Sequence, residues 1–169
     1  TVRVCTASEV QHPVYPVELS SKEVVQLKRS VRTVMEMTED DLVSLVPEKT
    51  GFLFIGCPNC DAGTQEGQLK WSVEDPDHVE CKFCGMVFPN EKFPEDKVMR
   101  VVNPVGVEVE YPYWEDESGY KYLFTARGWR AARTYFSTQA QGLGTLYQVT
   151  GDTEYARRAV LILDAFARH

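Results

Sequence analysis

The chain has 169 residues, a formal net charge of -7, and 43% hydrophobic against 25% charged residues. That length accommodates one domain with a sizeable core or two small ones, and the composition is that of an ordinary globular chain. No apolar run approaches a membrane span, no basic-then-apolar leader pattern opens the sequence as given, and the acidic balance weighs against a surface that binds a phosphate backbone.

Residues 1–19 carry Pro13 and Pro16 and read as an extended lead-in with one short strand at most, in which Cys5 is a small buried apolar residue and His12 is incidental. Ser20 followed by Glu23 is a capping box, and Val24, Leu27, Val31, Val34 and Met35 recur at helical spacing, which predicts a helix over 22–36. Thr38 with Glu39, Asp40 and Asp41 opens a second short helix that Pro47 ends. The apolar run 51–56 predicts a short strand that delivers Cys57.

From there the chain holds Cys57-Pro58-Asn59-Cys60, twenty residues, then Cys81-Lys82-Phe83-Cys84-Gly85. Two Cys-x-x-Cys pairs at this separation match a metal site in which each pair forms a knuckle and the spacer closes a tetrahedron. Cys57, Cys60, Cys81 and Cys84 are therefore the predicted ligands of a structural Zn2+; iron would use the same four thiolates. Four protein ligands leave no open coordination position, so the site is expected to hold structure and not to activate water. A redox pair would sit beside a βαβ pattern, which is absent, and two disulfides would leave Cys5 over. Gly63 and Gly67 mark a loop, 68–73 alternates as a strand, Asp75-Pro76-Asp77 reads as a turn, and 78–81 returns as the second strand of a zinc ribbon. His78 is a spare imidazole beside a complete ligand set. Residues 51–97 hold four lysines against nine carboxylates, which argues against nucleic-acid binding by this ribbon.

Phe88 and Phe93 are expected to cover the metal site from a turn-rich exit. Residues 98–102, 105–113 and 120–125 read as strands, the last two forming a hairpin whose Tyr111, Tyr113, Trp114, Tyr120 and Tyr122 serve packing. Residues 129–149 predict a long amphipathic helix through Trp129, Ala132, Phe136, Ala140, Leu143 and Leu146, with Gly142 and Gly144 as points where another helix approaches closely. Gly151 caps it, Asp152 starts a second helix, and Tyr155, Ala156, Ala159, Val160, Leu163 and Phe166 are its predicted buried face. His169 is incidental. The sequence lacks an initiator methionine and ends within a helical pattern, which predicts a piece of a longer protein with more hairpins beyond.

Residues 135–159, opening on Tyr135-Phe136 and turning at Thr150-Gly151-Asp152 before Tyr155-Ala156, resemble the early toroid helices of heparinase II/III-like polysaccharide lyases. The cysteine stretch with Trp71, Pro76, Phe88, Pro89 and Pro94 is similar to the zinc-ribbon insertion of large bacterial members. The resemblance implies a parent protein that cleaves uronate-containing glycans by β-elimination, an acidic polysaccharide as partner, no membrane or nucleic-acid partner, and an extracytoplasmic setting. It transfers no catalytic residue: those lie mostly on later toroid helices, and this fragment is expected to be inactive alone. Arg127, Trp129, Arg130, Arg133 and Tyr135 are the one concentration of uronate-compatible groups, and they read first as a solvated arginine face beside buried aromatics. The expected fold is α+β, in four parts: extended segment and helices over 1–50, zinc ribbon over 51–97, β-hairpin over 98–125, and over 126–169 a helical hairpin that begins an α/α toroid.

Overall fold

The computed structural model describes residues 17–60, 68–103 and 106–168, and among them it is a mixed α+β fold of five helices and two antiparallel three-stranded sheets. The expected lead-in over 1–16, Cys5, His12, the Gly63 and Gly67 loop, Pro104, Val105 and His169 lie outside the described residues.

The capping box forms as the sequence predicts. Ser20 Oγ accepts from the Glu23 N–H, and the Glu23 carboxylate accepts from the Ser20 N–H at 2.8 Å, starting α1, Ser21–Ser30. The single helix expected over 22–36 is interrupted at Val31, whose φ of -93° and ψ of 1° separate α1 from α2, Arg32–Glu36. Val31 and Val34 are both buried, so the break keeps the two segments on one core. Helix α3, Glu39–Ser44, starts at Thr38, whose hydroxyl accepts from the Asp41 N–H at 3.1 Å.

The predicted strand over 51–56 is not one. Among the described residues this segment has no strand partner; instead the Phe52 N–H donates to Ala126 O at 3.1 Å. A Cβ on Gly51 would stand 2.0 Å from that same oxygen, so only glycine permits the approach.

The first sheet has the order β1-β2-β3, with β1 Leu69–Ser72, β2 Asp75–Cys81 and β3 Val87–Phe88. The turn falls at Val73 and Glu74, and Asp75-Pro76-Asp77 belongs to β2, contrary to the sequence expectation. Pro76 is tolerated because β3 pairs only with Val79 and Glu80, leaving that end of β2 without a neighbour on one side. Its carbonyl accepts from Trp71 Nε1 at 2.9 Å.

The second sheet has the order β4-β5-β6, with β4 Lys97–Val102, β5 Glu108–Glu115 and β6 Lys121–Tyr122. The strand expected over 120–125 shrinks to β6 because the chain is already helical at Phe124. Helix α4 spans Phe124–Thr150, 27 residues, five residues earlier than the apolar spacing from Trp129 suggests. Leu123 at its N-cap offers no side-chain hydrogen bond. The Glu95 carboxylate supplies one from outside, accepting from the Thr125 N–H at 3.1 and 3.3 Å and from the Thr125 hydroxyl.

Gly151 closes α4 in the left-handed region at φ 73°, and Asp152 accepts from the Glu154 N–H to start α5, Thr153–Ala167. Arg133, early in α4, lies over the Phe166 ring, late in α5, so the two helices run antiparallel. The buried residues of α5 are Ala159, Ile162 and Ala165; of the face predicted, Ala159 is buried and Tyr155 and Phe166 pack against the same core, but Val160 is 61% and Leu163 56% exposed, and Ile162 and Ala165 take their place. The helix carries apolar residues on two flanks, and periodicity alone does not choose between them. Of the two glycines expected at close approaches, Gly142 is one, with Val31 Cγ1 3.1 Å from where its Cβ would stand; Gly144 has nothing within 4 Å.

Helix α4 joins two apolar cores. Its Ala132, Phe136, Ala140, Leu143 and Leu146 pack with α1, α2, α3 and α5, while its Phe124 and Ala126 pack with Ile55, Cys57, Leu69, Val79, Cys81, Phe88, Phe93 and Tyr111. Phe124 stacks on Phe88 at 4.5 Å between ring centroids with an 11° interplanar angle. Trp71 packs against both cores.

Candidate metal centre

Each cysteine is placed by a local device. Cys57 ends the extended segment that Gly51 seats on α4. Cys81 ends β2 opposite Leu69 of β1. In the second knuckle the Gly85 N–H donates to Cys81 O at 2.8 Å, with Gly85 at φ 70°, and the Cys81 N–H donates to Met86 O at 2.9 Å. The chain thereby reverses within a few residues and turns Cys84 back toward Cys81.

The four Sγ atoms of Cys57, Cys60, Cys81 and Cys84 all lie within 4.8 Å of one another. Cys57 and Cys84 approach to 3.7 Å, as do Cys60 and Cys81. A tetrahedral ion with metal–sulfur bonds of about 2.3 Å requires sulfur–sulfur edges of about 3.8 Å. All four are free thiols, and their spacing is far beyond the ~2.05 Å of a disulfide. The donor set and its geometry therefore fit a metal ion.

The electrostatics are uneven across the site. Burial pushes the Cys57 thiol up to about 12, although the Asn59 N–H works against it. Cys84, exposed, is held down at about 7, chiefly by the Met86 N–H. The Asn59 amide also donates to Cys84 Sγ at 3.7 Å, and Lys92 Nζ donates to the Asn59 side-chain oxygen at 3.1 Å, which brings a positive charge to the rim. Gln68, 1% exposed, accepts the Cys57 N–H on its side-chain oxygen at 3.0 Å. Its Nε2 has no partner among the described residues. Phe88 and Phe93 are buried in the same core as Cys57 and Cys81, as expected of covering residues.

His78 stands apart from the sulfurs, paired with Asp75 at 2.7 Å. The five uronate-compatible residues on α4 engage different neighbours. Arg127 is buried, not solvated as expected, and donates to Leu69 O at 3.1 Å, tying α4 to β1. Trp129 packs near Tyr111 and under Lys49 Nζ, lining a cavity of about 270 Å³ with Trp71, Pro47 and Pro76. The Arg130 backbone lies beneath Gly51 and the Arg133 guanidinium over Phe166. Tyr135 contacts Trp71 and Phe136, and burial raises its phenol further above neutrality, which disfavours a role as base. The aromatics of the predicted hairpin pack as expected, with Tyr120, just before β6, the exposed one at 41%. Sequence reasoning missed Gln68 and Glu95, because each acts on a residue distant in sequence.

No family model, curated protein or solved structure matches the chain.

Proposed function

We propose that the chain is a structural module whose first sheet is a zinc ribbon, held by Zn2+ on Cys57, Cys60, Cys81 and Cys84 and docked onto a helical hairpin. The observation that carries this reading is the pair of 3.7 Å sulfur contacts across the two knuckles, which match a tetrahedron of thiolates. Zinc bound by four thiolates would supply cross-linking of the two knuckles and no catalysis. Iron would be held by the same four thiolates, and metal analysis tells the two ions apart. The test is metal content of the purified chain with cobalt substitution. One zinc per chain and an intense thiolate-to-cobalt band support the reading, whereas less than one metal per chain with Cys57→Ser leaving stability unchanged removes it.

The wider part of the proposal is that the α4–α5 hairpin begins an α/α toroid of a heparinase II/III-like lyase acting on uronate-containing glycans. Its support is the resemblance over 135–159 together with the antiparallel hairpin and the exposed Val160 and Leu163 on its outer flank. The described residues would then be catalytically silent, the lysis residing elsewhere in the parent. Release of unsaturated uronate by this chain alone would overturn the silence. Absence of such activity from a longer protein containing the chain would overturn the lyase assignment.

A second reading has one observation of its own: Phe83, between the ligands of the second knuckle, is 61% exposed, with Val87 40% exposed nearby in sequence. An apolar side chain presented on a rigid knuckle suits an interaction module that binds a protein or glycan partner. Substitution Phe83→Ser separates the two readings, since it should abolish partner capture in the second and change nothing in the first.

A further inference from the structure

We infer that Gln68 is the positioning residue of the metal centre, joining the two knuckles through its side-chain and backbone oxygens, with the side-chain amide aiming the first. This rests on the metal reading above and deepens it. Gln68 is 1% exposed and immediately precedes β1. Its side-chain oxygen accepts the Cys57 N–H at 3.0 Å, gripping the first knuckle, and its backbone oxygen accepts the Lys82 N–H at 3.0 Å, gripping the second between Cys81 and Cys84. One residue thus spans both halves of the site, and its neighbour Leu69 pairs with Cys81 in the sheet.

The amide does not earn its place by packing. Among the described residues Nε2 is buried without a partner, and a half-satisfied amide in an apolar setting is a standing penalty that methionine, of similar length, would remove. What methionine cannot do is accept the Cys57 N–H. That bond fixes the peptide plane from which Cys57 Sγ projects, and ligand direction is what such outer partners of a metal site control. The angle between the knuckles is thereby set before an ion arrives, which reduces the ordering that binding would otherwise require.

The experiment uses the full chain, zinc and cobalt as probes, and two variants. Gln68→Met removes the acceptor, and Gln68→Glu keeps one at the same reach. Zinc affinity is read by competition with a chromophoric chelator, and site geometry by the cobalt absorption bands. Gln68→Met is expected to weaken zinc binding about 10–100-fold and to alter the cobalt bands, with Gln68→Glu returning the wild-type band pattern. Wild-type zinc affinity and an unaltered cobalt spectrum in Gln68→Met would overturn the inference. Altered bands in Gln68→Glu would also overturn it, and they decide the matter if the methionine variant fails to fold. If the wild-type chain takes up neither ion, the metal reading falls and this inference with it.

Discussion

The longest helix of the protein is capped by a residue from another part of the chain, and its removal makes a quantitative test. Glu95 accepts from the Thr125 N–H and hydroxyl at the first turn of α4, where Leu123 gives no cap of its own. Deleting the cap in Glu95→Ala forfeits a typical capping contribution of about 1 kcal/mol, in a range of about 0.5–2. For a chain of this size that corresponds to a melting shift of about 2–4 °C per kcal/mol. Glu95→Gln keeps an acceptor and discards the charge, so its change is expected to stay within about 0.5 kcal/mol. The charge itself is a liability, because burial raises the Glu95 carboxyl above its ordinary 4.5 despite the Thr125 hydrogen bonds. A folded-state value above the unfolded one means that the native protein binds the proton more tightly. The contribution of Glu95 is therefore fully present below the ordinary value and is lost as pH rises through the elevated one. Thermal melts of wild type, Glu95→Gln and Glu95→Ala across pH 4–8 provide the assay, with the wild-type advantage over Glu95→Gln growing as pH falls. If Glu95→Gln is as damaging as Glu95→Ala at neutral pH, with no trend toward acid, the capping argument fails.

Three further outcomes are expected. Gly51→Ala, whose Cβ would stand 2.0 Å from Ala126 O and 2.3 Å from Arg130 N, should destabilise by more than about 2 kcal/mol, while Gly144→Ala, with open space around it, should stabilise by up to about 1 kcal/mol; paired denaturant titrations compare them. Phe124→Ala, removing a fully buried ring stacked on Phe88, should cost about 3–5 kcal/mol by the same measurement. A chelator, or acid that protonates the thiolates, should release the metal and disturb tryptophan fluorescence from the first sheet, yet leave most far-UV helical signal, since α4 and α5 keep their own core; a parallel collapse of both signals would contradict the division into two cores.

What the sequence disclosed is largely what acts within a few residues. The Ser20 box, the Thr38 cap, the Gly151 stop and the Asp152 start are all local hydrogen-bond devices, and they stand where the residue types place them. The four cysteines were legible for a similar reason, as spacing within each knuckle is a local constraint and only the closure between knuckles is long-range. The errors share the opposite cause. The strand expected over 51–56 became a segment laid on a helix because its partner is Ala126, far along the chain. The start of α4 was hidden because its cap comes from Glu95. The inner face of α5 was right at Ala159 and wrong at Val160 and Leu163, which satisfy helical periodicity as well as Ile162 and Ala165 do, and only the neighbouring helices decide.

The arginines of α5 bear on the order in which the chain assembles. Arg158 donates to the carbonyls of Met37 at 2.8 Å and Val34 at 3.4 Å, at the end of α2, and Arg157 pairs with Glu39 at the start of α3. The second and third helices are thus fastened by residues made more than a hundred positions later. During synthesis from the N-terminus they would emerge with Val31, Val34 and Leu42 uncovered, at a stage when the cysteine knuckles could already close around an ion. On the ribosome, the cysteine stretch could take up an ion before the helices that precede it are covered by α5.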